Sequence, residues 1–488
     1  MRPKTRVGNT RALNAQPING HNGGGNVGNI SSYDTEDEES LNSEDELLIP
    51  SSESDDGKTG PFDDTAVSIL GSGGGSSNAM SSISAPVDRY NAIYIIFFIQ
   101  GIGMLLPWNF FITAKSYFDF KFAKNHDIQS RFENAFALSA MFPNVISLFL
   151  NIFLTGKISR AFRIITCLII MFLMFVLTTV LVRIDSHTWT KVFFAVTIVS
   201  VIVINLSAGI FQGTIFGVAG IMGSKYMGAI MNGQALAGIF AAGADLATKL
   251  ADSSGKHPDT SAFIYFATAA LVIVITAISY SVLSKLPRMQ FYFQRAKTTT
   301  EKKTTVKKKE QYVRVPYFAI LKQISRLTFS VTSVFAVTLS MFPAILSRIE
   351  SVNKDNGSRW NNDLFPTLMC FLIFNCGDCC GRIIAGHVQI VSSTSKWLPV
   401  LCVSRVVFIP LFLMCKMEDS YLPTVLTHDA YPVVLNMLFS LSNGYFGSLC
   451  MMYGPRLVAI EYAETAGTIM SLFLTIGLTI GACISFLF

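Results

Sequence analysis

The sequence predicts an all-α polytopic membrane protein, with about eleven transmembrane helices behind a disordered polar tail. Three observations carry this. Of the 488 residues, 51% are hydrophobic and only 14% charged, whereas a soluble domain has about a quarter of its residues charged. The deficit is uneven: residues 1–88 are rich in Ser, Gly, Asn and acids, and apolar stretches follow one another from Tyr90 to the last residue. Those stretches recur at roughly 20 residues, the length of helix that crosses the hydrocarbon.

Residues 1–88 read as a disordered acidic cytosolic tail. The block "YDTEDEESLNSEDELLIPSSESDD" places acids after Ser40 and Ser43, which suits acidic-directed kinases. Within it "EDELLI" fits an acidic dileucine sorting signal through Glu44, Leu48 and Ile49, of the kind read by sorting adaptors. The plainer alternative is a solvated tail with no specific partner. No apolar run precedes Ala92, so no cleavable signal peptide is visible.

The spans are expected at about 91–114, 132–155, 164–182, 192–222, 228–249, 262–284, 328–346, 364–386, 397–415, 431–453 and 466–488. The fourth and fifth are blurred, because Asn205 to Leu246 is rich in Gly and Ala. Lys and Arg in the links set the orientation. "GKISRAFR" carries Lys157, Arg160 and Arg163 and no acid, and the link from Lys285 to Arg326 is strongly basic. Both then face the cytosol, with the N-terminus cytosolic and the C-terminus on the opposite face. The basic link also suits anionic lipid head groups, although a positive-inside anchor accounts for it. The loop around Asn356 faces outward, and Asn356-Gly357-Ser358 is a glycosylation sequon.

Polar residues inside spans are costly and are functional candidates for that reason. In "GMLLPWNFFITAKSYF" of the first span, Leu105, Trp108, Asn109 and Ile112 share a helical face, an indole beside an amide. Pro107 is expected to loosen the helix there and free backbone carbonyls. Such a face is equipped for a flat, hydrogen-bonding solute. A membrane-edge Trp with a structural Asn is the rival explanation. The fourth span offers Gln212 and a Gly209, Gly213, Gly217 ridge that admits a close neighbour. In the eighth, Phe371, Asn375, Asp378 and Arg382 are spaced to form one narrow face, and Asp378 and Arg382 are four apart, as an ion pair within the helix requires. The stripe is expected to face a polar cavity. A salt bridge that only pins helices is the alternative.

Asn144, Asn151, Asn436 and Asn443 also lie inside spans, and Arg405 is expected either to snorkel or to meet a carboxylate. Glu464 opens the last span, where a helix N-terminus favours an acid; a gating salt bridge to Arg163 or another base is the sharper expectation. All nine cysteines lie in or at the edge of apolar segments, which reads as buried free thiols. The CxxC of "CGDCC" has no nearby Cys/His pair to complete a metal site. GxSxG, Walker A, HExxH and paired-carboxylate patterns are absent outside the tail, so neither an enzyme nor a nucleotide-driven pump is expected, and no cofactor.

These residues resemble a known family. "LLPWNFFITAKSYF", "FQGTIFGVAG", "MNGQALAGIF", "MFPAI", "NCGDCCGR", "SNGYFGSLCMMYGP" and "AETAGTIMSLFL" are similar, in order, to motifs of the equilibrative nucleoside transporters, solute carrier family 29. The likeness covers about 88–488. It implies a major-facilitator-like arrangement of six plus five helices: a first bundle at 89–285, a basic cytosolic loop at 286–327 and a second bundle at 328–488. It implies facilitative transport of nucleosides such as adenosine and uridine, and of nucleobases, by alternating access. It implies that Leu105, Trp108 and Met141 line the nucleobase end of a central cavity, with Asn109 beside them. Gln212 and Asn375 would bond the base, Asp378 and Arg382 the ribose hydroxyls, and Phe342 and Phe371 would wall the site. Arg163 and Glu464 look like gating contacts. The first helix, "WTKVFFAVTIV" and the dileucine look nearest the family's lysosomal branch or its invertebrate members; in the lysosomal branch an acid at the position of Asp245 and one near Glu464 are tied to pH dependence. Protonation of a carboxylate desolvated there would favour transport in an acidic lumen. Residence is expected at the plasma membrane, with the late endosome or lysosome as the alternative. A proton-coupled carrier of nucleosides or another small solute is the runner-up, and a membrane scaffold or receptor acting through its tail is a further rival. The expected partners are nucleosides, the bilayer, and adaptors and kinases at the tail, with no nucleic acid.

Overall fold

A chain that crosses lipid has to satisfy its backbone N–H and C=O groups internally, and here it does so as helix. The computed structural model describes residues 86–123, 125–186, 188–251, 258–306, 315–354, 358, 361–362, 364–417 and 424–485. Glu44, Leu48, Ile49 and Asn356 lie outside these, and with them the sorting and glycosylation expectations. The helices are α1 (Ala92–Thr113), α2 (Lys115–Phe122), α3 (His126–Leu154), α4 (Arg160–Arg183), α5 (Thr190–Met222), α6 (Ser224–Ala251) and α7 (Pro258–Leu283). They continue with α8 (Pro287–Val306), α9 (Tyr317–Met341), α10 (Phe374–His387), α11 (Trp397–Ser404), α12 (Phe408–Leu413), α13 (Ala430–Tyr453) and α14 (Ala463–Ser485).

Among the described residues ten helical segments are long and apolar enough to cross a membrane. The remaining expected span, 397–415, is the shorter apolar piece Trp397–Leu413, in which a 3-10 turn, Arg405–Val407, joins α11 to α12. The α5/α6 boundary that composition blurred is set by Gly223, whose φ of 109° is open to glycine and costly for other residues. Among the described residues side chains cap the starts of α3 and α4: Asn125 Oδ1 accepts from Ile128 N, and Ser159 Oγ accepts from Phe162 N.

α1 runs as helix through Pro107 to Thr113. Two elements go beyond the sequence reading. The eight-residue α2, unforeseen, buries Tyr117, Phe118 and Phe122; it joins a cluster of rings in which Phe111, Phe136, Phe175 and Phe266 meet from α1, α3, α4 and α7. Part of the basic link after α7 is the helix α8.

The helices pack in two sets. α1 lies on α6 and α7, α4 on α5 and α7, and α3 on α5; α9 lies on α14, α13 and α11, and α10 on α13. The sets meet where α14 packs on α5 and α3, and where α6 packs on α10 and α13. The glycine ridge of α5 serves this seam. Gly209 faces Ser147 and Asn144 of α3, Gly213 faces Asn151 and Leu148 of α3 with Thr468 of α14 just beyond, and Gly217 faces Glu464 and Thr468 of α14, at separations that leave little or no room for a Cβ.

Candidate functional site

The approach to α10 is not regular. Thr367–Ile373 is π-helical and passes into α-helix at Phe374. Phe371 therefore lies on the wider turn, and the even face expected for Phe371, Asn375, Asp378 and Arg382 holds only from Asn375 onward. The ion pair expected from the four-residue spacing does form: Arg382 Nε donates to Asp378 Oδ2 at 2.7 Å, with both side chains buried. Its surroundings come from both helix sets. Arg382 Nη1 donates to the Met231 carbonyl at 3.1 Å and to Gln234 Oε1 at 3.4 Å, both on α6. Gln234 Nε2 donates to Met104 Sδ on α1 at 3.1 Å. On the other side Asn443 Nδ2 of α13 donates to Asp378 Oδ1 at 2.6 Å. Removing either charge would leave its partner buried and uncompensated, which costs about 3–5 kcal/mol.

Asn375 is half-buried; its Nδ2 donates to the Phe371 carbonyl at 2.8 Å, and its Oδ1 abuts Gly238 of α6. Phe342, just past α9, stacks on Phe374 at 4.1 Å and meets Phe371 edge-on at 5.7 Å. Gln212 Nε2 donates to Ser471 Oγ at 3.0 Å and Thr475 Oγ1 at 3.3 Å, across the α5–α14 seam. Trp108 stacks on Phe136 of α3 at 5.9 Å. Leu105, Asn109 and Met141 are half-buried on α1 and α3. Among the described residues no hydrogen bond or ring contact joins Trp108 or Gln212 to the Asp378–Arg382 pair. The contacts instead form three groups, at α10, at the α5–α14 seam and at the α1–α3 rings.

Two further clusters tie the sets together at opposite ends. At one end Glu464, in the first turn of α14, accepts from Arg160 Nε at 2.8 Å, Arg160 Nη2 at 2.5 Å and Arg163 Nη2 at 3.2 Å. Arg163 also donates to Asn151 Oδ1 at 2.6 Å, and Arg160 lies over the Phe293 ring of α8 at 4.5 Å. The expected bridge from Glu464 to Arg163 is formed, and Arg160, counted only as a cytosolic charge, joins it. At the other end Lys249 bridges Asp245 at 2.9 Å and Thr367 Oγ1 at 2.7 Å. Asp245 therefore has a cationic partner and its side chain is 20% exposed, where the sequence reading expected a desolvated carboxylate.

Arg405 does not snorkel, and among the described residues it meets no carboxylate. It is 2% exposed and donates to the carbonyls of Val334 at 2.7 Å and Phe439 at 3.1 Å, and to Ser442 Oγ and Thr338 Oγ1 at 3.0 and 2.9 Å. Sequence reasoning assigned no role to Gln234, Thr338 or Arg160 in these clusters. The signal was present for Gln234, an amide within the Gly-rich fifth span, and for Arg160, which stands three residues before Arg163 and so on the same helix face.

A model of the nucleoside transporter family matches residues 198–488. The chain is 36% identical to equilibrative nucleoside transporter 1 of Homo sapiens over 462 residues, covering 84% of this chain and 99% of that protein. It is 33% identical to equilibrative nucleoside transporter 3 of Rattus norvegicus, covering 83% and 90%, and 30% identical to equilibrative nucleotide transporter 1 of Arabidopsis thaliana, covering 83% and 88%. Among solved structures, the major facilitator superfamily proton:xylose symporter XylE matches with a TM-score of 0.55 at 11% identity, covering 80% of this chain and 86% of its own. The major facilitator transporter FucP in its outward conformation matches with a TM-score of 0.52 at 12% identity, covering 82% and 91%. At such identities the likeness speaks for the fold, which is the major-facilitator-like one.

Proposed function

Because the chain belongs to the equilibrative nucleoside transporter family, solute carrier family 29, and carries nucleosides across a membrane by facilitation, we propose that adenosine and uridine are among its substrates and that they seat against the Asp378–Arg382 pair. One observation supports this most strongly: a fully formed acid–base pair is buried within a spanning helix and partnered from both helix sets. Charged residues in such a position usually mark a solute path, and a carboxylate beside a guanidinium offers acceptors and donors together to a sugar's hydroxyls. Asn375 next to the pair, Gln212 on the α5–α14 seam, and the rings of Trp108, Phe342 and Phe371 supply amides and flat apolar walls suited to a base; Leu105, Asn109 and Met141 complete that wall. Nucleobases themselves are proposed as further substrates on the same ground.

Transport then proceeds by alternating access. The first bundle, 89–285, rocks against the second, 328–488, with the Glu464–Arg160–Arg163 cluster as the gate at the cytosolic end and Asp245–Lys249–Thr367 as the tie at the outer end. The N-terminus and the 286–327 segment face the cytosol, residence is at the plasma membrane, and Asn356 carries glycan. The experiment is uptake of labelled adenosine and uridine into cells lacking their own carriers, with surface labelling of the tagged chain. Asp378→Ala and Arg382→Ala should each abolish uptake while the protein still reaches the membrane. Undiminished uptake in either variant refutes the assignment.

A further inference from the structure

A buried guanidinium with no acid beside it is expensive, and Arg405 is such a group. Its hydrogen bonds run toward Asp378. Arg405 has only donors to offer, so Thr338 Oγ1 accepts from it at 2.9 Å. The Thr338 hydroxyl has one proton and two acceptors in reach, the Val334 carbonyl at 2.8 Å and Asn443 Oδ1 at 2.7 Å. The Val334 carbonyl has two lone pairs; the Thr338 N–H four residues on in α9 takes one and Arg405 Nη1 the other at 2.7 Å, which leaves the Thr338 hydroxyl proton to Asn443. With its oxygen so engaged, Asn443 turns its amide N–H to Asp378 Oδ1 at 2.6 Å. The chain runs one way, from Arg405 through Thr338 and Asn443 to Asp378.

The helices are built for it. A Cβ on Gly444 would lie 2.0 Å from the Asp378 carbonyl oxygen, and one on Gly381 would lie 2.1 Å from the Leu441 carbonyl oxygen. α10 and α13 therefore touch backbone to backbone at the level of Asn443. A carboxylate has about four lone-pair sites. Arg382 and Asn443 each occupy one, and two remain, the number that a vicinal diol needs.

We infer that Thr338 and Asn443, backed by Arg405, are positioning residues that hold Asp378 for the vicinal hydroxyls of a ribosyl substrate, and that they thereby set preference for ribonucleosides over 3′-deoxy analogues. This rests on the reading of Asp378 as a substrate contact. Thr338→Val severs the relay at constant shape, and Thr338→Ser keeps it. Uptake of uridine and of 3′-deoxyuridine is measured for both, with the amount of protein at the membrane, alongside Asp378→Asn. The expected result for Thr338→Val is a KM for uridine raised about tenfold, the effect of disordering a hydrogen bond to a charged group, with the KM for 3′-deoxyuridine within about twofold of its starting value. Thr338→Ser restores the original KM. Where Thr338→Val does not reach the membrane, Thr338→Ala read against Thr338→Ser decides in the same way. An unchanged KM for uridine, or an equal rise for both substrates, overturns the inference. If Asp378→Asn carries uridine normally, the underlying assignment of Asp378 fails and the inference with it. If Asp378→Asn is inactive while Thr338→Val keeps the original KM, the inference alone fails.

Discussion

Replacing Glu464 by Gln removes one charge from a cluster of three and keeps its shape. Glu464 and Arg163 are buried, with side chains 8% and 3% exposed, whereas Arg160 is 32% exposed. Arg160 can therefore recover water when its partner is neutralised, and the loss falls on Arg163. Breaking a buried pair costs about 3–5 kcal/mol; the amide oxygen still accepts one bond, so the lower figure, about 3 kcal/mol, applies. That cost is borne only where α14 is docked on α4, because once the two part both groups are hydrated. At about 1.4 kcal/mol per tenfold, the balance between docked and parted states moves by about a hundredfold. A parted state held at about 1% would rise to roughly half of the molecules. Spin labels at Lys157 and Ser325, both exposed and near the Glu464 end, report this by pulsed dipolar spectroscopy as a growing long-distance population. A distance distribution in Glu464→Gln that matches the unmodified protein would refute the claim that this cluster holds the end closed.

Two other substitutions test smaller claims. Gly444→Ala places a methyl 2.0 Å from the Asp378 carbonyl oxygen, so α10 and α13 have to part; overpacking of this kind costs about 1–3 kcal/mol. A lowered melting temperature in detergent, together with reduced uridine uptake, is the expected outcome, and unaltered thermal stability contradicts it. Asp245→Asn weakens a tie whose side chains are 20% and 43% exposed, a class of pair worth about 0–1 kcal/mol. Uptake at neutral pH should therefore change by no more than about fivefold, and total loss would show that Asp245 does more than pair with Lys249.

Much of this molecule can be read from composition and spacing, because lipid imposes a simple rule on the chain. The spans, and the pairing of Asp378 with Arg382, follow from helix period and from the cost of isolated charge in hydrocarbon. What could not be read is where an amphipathic or basic stretch goes once the helices assemble. The bridge from Glu464 to Arg163 is legible and forms, whereas Arg160 counts only as a cytosolic charge in a tally, yet it reaches the same carboxylate 304 residues along the chain. α2 escaped because "KSYFDFKF" is too short and too mixed to stand out, although its rings complete a core shared by four helices. Arg405 invited the guess of a carboxylate partner, since spacing cannot show that carbonyls and hydroxyls from two neighbouring helices, α9 and α13, supply the acceptors instead.

The π-helical turn at Thr367–Ile373 gives this region an unusual sensitivity to winding. Such a turn carries one residue more than the α-helix that would replace it. Rewinding the same residues at the ordinary pitch, with none removed, would rotate everything upstream by about 100° relative to Asp378. Thr367 would swing away from Lys249, and the Met369 carbonyl away from Asn436, which now donates to it. The extra residue works as a phase-setter: it lets the outer tie and the buried pair, two features with no bond in common, be satisfied by one continuous rod.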